Sequence, residues 1–307
     1  MRAALCKQLT ARAADEHMVF LTGDLGFMAL EPLRERMGPR FINCGVAEQN
    51  MMTVAAALAS EGLDVWAYSI APFCYARPFE QIRNDICFHK LPVKLLGNGG
   101  GYGYGVMGPT HHALEDYGVL LTLPAMRVFV PAYDEDVGPV LARAGALDAP
   151  SYTRMGYAPP AKDAPPPAYA PWRKLAQGDG PVIVTIGPLG GVAQQALAAD
   201  AALDAELWLV SELPLDNIPD ALASRIADGA KLCVVEEHVA QGGLGAQLCQ
   251  WLVAHGLAPK AYKHLYAQGY PSGRYGSQNY MRQQSGLDQN AINAVLRQLI
   301  NTDTRHD

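Results

Sequence analysis

The chain has 307 residues, of which 50% are hydrophobic and 18% charged, with a formal net charge of −6 at pH 7. That length accommodates two domains with ample core, and the composition excludes a disordered chain. The acid excess argues against a general nucleic-acid or anionic-membrane binder and no apolar run is long enough to span a membrane, but a small anionic ligand held by local Arg and backbone N–H groups stays open.

Residues 2–15 read as an amphipathic opening helix, and Met18-Val19-Phe20-Leu21-Thr22 as a strand ending at Gly23-Asp24-Leu25-Gly26. A short strand signal at Phe41-Ile42 turns at Gly45 into an Ala- and Met-rich helix that begins near Glu48 and closes at Gly62. Almost every side chain after Asn50 in that helix is small or apolar, so it is expected to be buried on most faces, with Glu48 at the edge of a dry environment. There follow a strand (64–70), a helix from about 77 to 89, a strand (92–96), a glycine-dense loop, a helix near 114–121, a strand (127–130), a helix (135–146) and a last short strand (151–154). Short apolar strands alternating with helices predict an α/β fold with a mainly parallel, doubly wound sheet.

Residues 157–180 are dominated by Pro and Ala without a hydrophobic period, which predicts a crossing linker. Beyond it the alternation resumes, with strands at 182–186, 207–210 and 232–235 and helices near 193–202, near Asp220 and after Gly245. The expected organisation is therefore two doubly wound domains, 1–156 and a smaller 181–307. The six scattered cysteines contain no CxxC pair and no signal peptide precedes them, which reads as reduced thiols in a cytoplasmic protein.

Several stretches carry candidate chemistry. Glu48 either complements the helix dipole or does chemical work. Phe73 and Phe79 follow the carboxyl end of a strand, where open α/β sheets place ligands, and they either sandwich a flat heterocycle or belong to the core. The run Gly97-Asn98-Gly99-Gly100-Gly101-Tyr102-Gly103-Tyr104-Gly105 allows close backbone approach, and it leads to His111-His112. No carboxylate or Cys accompanies those histidines at a metal-ligand spacing, so substrate contact is the better reading for them than zinc. Arg154 ends its strand and suits either bidentate pairing with a phosphate or carboxylate, or a surface ion pair.

Taken together, Gly45-Val46-Ala47-Glu48-Gln49-Asn50-Met51, Phe79-Glu80-Gln81-Ile82-Arg83-Asn84, Gly108-Pro109-Thr110-His111-His112-Ala113-Leu114-Glu115-Asp116, Val130-Pro131-Ala132 and Glu236-Glu237-His238 with Gly242-Gly243-Leu244-Gly245 occur in the order seen in transketolases. Over nearly its whole length the chain resembles the carboxy-terminal subunit of a split transketolase, a pyrimidine-binding domain followed by the transketolase carboxy-terminal domain. The resemblance implies thiamine diphosphate bound between this chain and an amino-terminal subunit carrying the diphosphate-binding domain. It also implies self-association into an α2β2 heterotetramer, and sugar or sugar-phosphate substrates.

By the same resemblance Glu48 hydrogen-bonds N1′ of the aminopyrimidine. This stabilises the imino tautomer that removes the thiazolium C2 proton before a two-carbon ketol unit is transferred. Phe73 and Phe79 would stack on the ring and Asp24 would lie near the cofactor. His111 would face the substrate, and Arg154 would hold its phosphate. Glu236, Glu237 and His238 are expected at a dimer interface.

The cofactor's diphosphate and Mg2+ need Gly-Asp-Gly followed by Asn a helix and strand later. Here Gly178-Asp179-Gly180 precedes a strand and no Asn follows before Asn217, so it reads as a turn, with no metal ligands on this chain and Mg2+ left to the partner. Val106-Met107 stands where transketolases have an acidic pair, and Gly99 where many have a histidine, so the groups that read sugar hydroxyls differ and Met107 and Gly99 are expected to line the substrate pocket. Two alternatives stay open. One is a decarboxylating enzyme, similar to a 2-oxo-acid dehydrogenase β-subunit or deoxyxylulose-phosphate synthase, although Gly-Pro-Thr-His-His and Tyr275-Gly276-Ser277-Gln278 favour the transketolase-like reading. The other is a non-catalytic structural subunit.

Overall fold

The computed structural model describes residues 1–26, 28–156 and 166–301. The first nine residues of the expected linker, 157–165, and residues 302–307 lie outside them. In chain order the strands are β1 (Met18–Thr22), β2 (Phe41–Asn43), β3 (Asp64–Ile70), β4 (Lys94–Asn98), β5 (Arg127–Phe129), β6 (Ser151–Met155), β7 (Trp172–Ala176), β8 (Val182–Ile186), β9 (Glu206–Val210), β10 (Glu212–Leu213), β11 (Leu232–Val235) and β12 (Tyr262–Leu265). They form two sheets, ordered β10-β5-β6-β4-β3-β1-β2 and β12-β11-β8-β9-β7. Each sheet is parallel except for one antiparallel edge strand, β10 in the first and β7 in the second. The fold is α/β with two doubly wound sheets.

The central strands are buried throughout: β1, β6, β8 and β9 expose no residue on either face. This is why they read as continuous apolar runs rather than alternating ones. The helix Glu48–Ser60 buries Met51, Met52, Ala55, Ala56 and Ala59 against the first sheet, but leaves Gln49, Asn50, Thr53, Ala57 and Ser60 exposed. Burial on most faces is thus corrected to burial on one, because small residues permit close packing without requiring it.

The helix expected over 77–89 is broken. Ala71–Tyr75 and Phe79–Gln81 are α-helical, residues 76–78 form a turn, and Ile82–Cys87 winds as a π-helix. Pro78 explains the break, since inside a helix it would remove a hydrogen bond and clash with the preceding turn. The linker is likewise interrupted, by β7, which pairs with β9 from Trp172↔Val210 onward. β10 then crosses back to complete the edge of the first sheet against β5. The helix Gln289–Asn301, which sequence patterning did not resolve, buries Ile292, Leu296 and Leu299. Among the described residues no helix is long and apolar enough to cross a membrane.

The site's location follows from topology. β1 has β2 on one side and β3 on the other, so the chain reverses direction across the sheet at β1. The carboxyl ends of strands flanking such a reversal open a crevice.

Candidate active site

Three loops converge on that crevice. After β1, Asp24 donates its backbone N–H to Gly45 O at 3.2 Å, and its carboxylate accepts from Asn43 Nδ2 at 3.2 Å. Asn43 Oδ1 in turn accepts the Gly45 N–H at 2.9 Å. Gly45 has φ +69°, a left-handed conformation that glycine adopts without a Cβ penalty. This tied turn delivers Glu48 as the first residue of its helix, where a carboxylate meets the positive end of the dipole.

Glu48 is 8% exposed and accepts a hydrogen bond from Arg77 Nη1 at 2.8 Å. The Arg77 guanidinium carbon also lies 3.7 Å from the centroid of the Phe73 ring, over its face. Phe73 meets His111 edge-on at 5.1 Å, and His111 lies 5.6 Å from Tyr104. Asn98, the last residue of β4, donates to Tyr104 Oη at 2.8 Å, and Thr110 Oγ1 lies 2.9 Å from His111 Nδ1. Glu48, Phe73 and His111 are therefore members of one continuous rim. Arg77, Tyr104 and Asn98 complete it, and sequence reasoning assigned none of them a role. Asn98 carried a usable signal as a polar residue closing an apolar strand, and Arg77 as a cation four residues beyond Phe73.

The glycine loop is pinned rather than loose. Gly101 and Ala113 exchange backbone hydrogen bonds at 2.8 and 2.9 Å, and the N–H groups of Gly99 and Gly100 both reach Met155 O. His112 is buried: its Nε2 donates to Gly105 O at 2.8 Å and its Nδ1 accepts from Tyr270 Oη at 2.8 Å. Burial pushes its pKa down, matching the neutral form these partners require. The adjacent histidines thus divide, His111 to the rim and His112 to the scaffold. A Cβ at Gly99, where φ is +77°, would overlap the Tyr104 ring. Tyr104 fills the space a side chain at position 99 would need, so Gly99 shapes the loop rather than reaching into the rim. Met107 and its neighbour Val106 are exposed on the short 3-10 turn Gly105–Met107.

Arg154 is 5% exposed and serves as a strut. Its Nε lies 3.0 Å from Asp116 Oδ2, while Nη2 donates to Ala113 O at 2.8 Å and to Glu237 O at 2.7 Å. Burial works against its charge, but Asp116 outweighs this and raises its pKa further. The guanidinium joins β6 to the glycine loop and to the second domain, whereas the resemblance implied a phosphate contact. Phe79 packs against the main core, and Asp24 is exposed at the Gly45 turn.

Glu236, Glu237 and His238, expected at a dimer interface, are instead buried between the two domains of one chain. Glu236 accepts from Tyr117 Oη at 2.6 Å, His264 Nε2 at 2.8 Å and the N–H groups of Leu244 and Gly245. Burial would raise its pKa, but His264, His238 and these donors hold it below the usual carboxylate value. Glu237 accepts the N–H of Tyr102 at 2.7 Å and pairs with Arg282 at 2.6 Å. His238 stacks on Tyr117 with centroids 3.9 Å apart.

Gly178 and Gly180 pack against Leu203, Asp204 and Ala205 in the bend that enters β8. Among the described residues no group of three or more His, Cys, Asp or Glu side chains converges as a metal ion would require.

A family model described as transketolase, pyrimidine binding domain, matches residues 2–156. One of the two subunits of the apulose-4-phosphate transketolase of Phocaeicola vulgatus is 30% identical over 251 residues, covering 78% of each chain. 1-Deoxy-D-xylulose-5-phosphate synthase 1 of Geobacter metallireducens is 31% identical over 93% of this chain but only 46% of its own length. Among solved structures, a split-gene transketolase in an inactive β4 tetramer superposes with a TM-score of 0.81 at 27% identity, covering 98% of this chain and 97% of that one. Transketolase from Leishmania mexicana shares the fold at TM-score 0.78 and 17% identity, over 46% of its length.

Proposed function

The chain belongs to the transketolase family and corresponds to the carboxy-terminal subunit of a split transketolase, and on that premise we propose that it is the pyrimidine-binding half of a two-subunit ketol transferase. Glu48 and Phe73 carry the reading. One flat cation already touches both, the carboxylate by its edge and the aromatic ring by its face, which is the pair of contacts a flat N–H-bearing heterocycle needs. The crevice therefore suits the aminopyrimidine of thiamine diphosphate. When bound, that cofactor supplies the nucleophilic carbon that accepts a two-carbon unit.

In this reading Glu48 holds a proton at the ring's N1′, and its burial keeps water from competing for that hydrogen bond. Phe73 offers the stacking face. His111, held beside Phe73 and Tyr104, faces the substrate oxygens. Phe79 and Arg154 act from behind, through the core and the loop.

The diphosphate and its Mg2+ fall to an amino-terminal partner subunit in an α2β2 assembly. Support comes from the turn geometry of Gly178-Asp179-Gly180 and from the split-gene relative, whose β chain forms an inactive tetramer. The relatives that act on apulose 4-phosphate favour a phosphorylated ketose as donor. Six free cysteines support a cytoplasmic setting.

Exposed Val106 and Met107, lacking groups to read sugar hydroxyls, favour as a second reading a decarboxylating enzyme like the deoxyxylulose-phosphate synthases. Release of carbon dioxide from pyruvate by the assembled enzyme distinguishes the two.

The primary test is calorimetric titration of thiamine diphosphate with Mg2+, into this chain alone and into the chain assembled with its diphosphate-binding partner. Binding to the pair alone is the expected result. Tight binding to the lone chain overturns the division of labour, and no binding to either overturns the catalytic reading.

A further inference from the structure

Arg77 makes, with one planar group, both contacts assigned above to the cofactor ring. Its Nη1 donates to Glu48 at 2.8 Å and its guanidinium carbon lies 3.7 Å from the Phe73 centroid. A guanidinium is flat, carries N–H donors around its edge and stacks on aromatic faces, so it reproduces the edge and face chemistry of a protonated aminopyrimidine. Two planar groups cannot share one carboxylate edge and one ring face.

We propose that Arg77 is a built-in placeholder, which fills the pyrimidine slot while the cofactor is absent and must swing away for the ring to enter. This rests on the reading of Glu48 and Phe73 as pyrimidine contacts.

The surroundings suit such a device. Arg77 sits in the turn at residues 76–78 between two short helices, and its side chain is 46% exposed, so it can leave for water without crossing the core. Glu48, at 8% exposure, cannot. A carboxylate left there without a partner would be costly, and Arg77 keeps it paired until a ring donor takes over. The hold is also weak enough to be displaced, since half-exposed ion pairs and cation–π contacts are each modest. A binding-competent state that is populated only part of the time lowers apparent affinity by that fraction.

The test compares Arg77→Ala and Arg77→Lys with the unaltered chain, each assembled with the diphosphate-binding subunit, by calorimetric titration of thiamine diphosphate and Mg2+. Thermal midpoints confirm that each variant is folded. Removing the placeholder is expected to tighten binding by about three- to tenfold, the upper figure being about 1.4 kcal/mol. Arg77→Lys keeps the charge but loses the planar face, so it is expected to fall between. Unchanged or weaker binding by Arg77→Ala overturns the placeholder and makes Arg77 a residue that positions Glu48. Glu48→Gln in the same titration tests the underlying reading separately: if it binds as tightly as the unaltered chain, the pyrimidine assignment fails whatever Arg77 does.

Discussion

Glu237, from the second domain, accepts the backbone N–H of Tyr102 in the first domain's glycine loop at 2.7 Å, across 135 residues of sequence. The same carboxylate accepts from Gln278 and pairs with buried Arg282, and a Cβ at Gly101 would stand 2.6 Å from its Oε1. The loop that carries His111 to the rim is therefore shaped by the domain that lacks the rim residues. Replacing Glu237 by Ala removes the buried carboxylate that Arg282 and the Tyr102 N–H share, and should cost about 3–5 kcal/mol, the range for breaking a buried pair from one side. A urea midpoint close to that of the unaltered chain would remove Glu237 from this role.

Glu48→Ala tests the chemistry. In the assembled enzyme it should lower the rate of ketol transfer by about a hundred- to ten-thousand-fold, the usual worth of a positioned proton-transfer group. The fold should survive, because Arg77 is half exposed and can turn to water. Initial rates with a ketose phosphate donor and an aldehyde acceptor provide the check. Full activity would favour a structural, non-catalytic subunit.

Arg154→Gln separates a strut from a phosphate ligand. The buried guanidinium satisfies Asp116 and two carbonyls, so its loss should lower stability by about 3–5 kcal/mol and the thermal midpoint with it. Were it instead a phosphate ligand, KM for a phosphorylated substrate would rise while the midpoint held.

Gly99 and Tyr104 should prove coupled. Gly99→Ala drives a methyl group into the Tyr104 ring at a left-handed backbone position, so it should destabilise the loop and weaken substrate use. Adding Tyr104→Ala relieves the contact but not the backbone strain. A double-mutant cycle should therefore return a favourable coupling of about 0.5–3 kcal/mol, and strict additivity would dissociate the pair.

Stability should decline as pH falls through the usual histidine range. Burial lowers the pKa values of His112 and His238 below 6.5. Below that value the unfolded chain takes up protons that the folded chain refuses, so the contribution is complete above 6.5 and is lost on acidification. Each histidine contributes at most about 1.4 kcal/mol per pH unit. Denaturation midpoints measured between about pH 7.5 and 5.5 should fall, and His112→Asn should flatten part of the slope. A flat profile for the unaltered chain would contradict the burial argument.

Much of this was legible in the residues. Apolar runs four or five residues long, bounded by glycines, marked β1, β3, β6 and β8 because strands buried on both faces need no polar alternation. Glu48 stood out as the acid at the mouth of a helix of small residues, and Phe73 and His111 because each follows the carboxyl end of a strand. What did not show were β7, β10 and the π-helical turn at Ile82–Cys87, whose existence depends on edges and partners far away in sequence.

Hydrophobic period and chain order are local properties, so the residues alone specify the alternation of strands and helices, and with it the doubly wound class whose crevices open at strand carboxyl ends. How identical residue types divide their work is settled in three dimensions. His111 faces the rim while His112 locks the loop, and Arg77 lies over Phe73 while Arg154 is buried as a strut. A side chain's charge and reach are written in its own chemistry, but its burial and its partners are set by segments that can lie a hundred or more residues away.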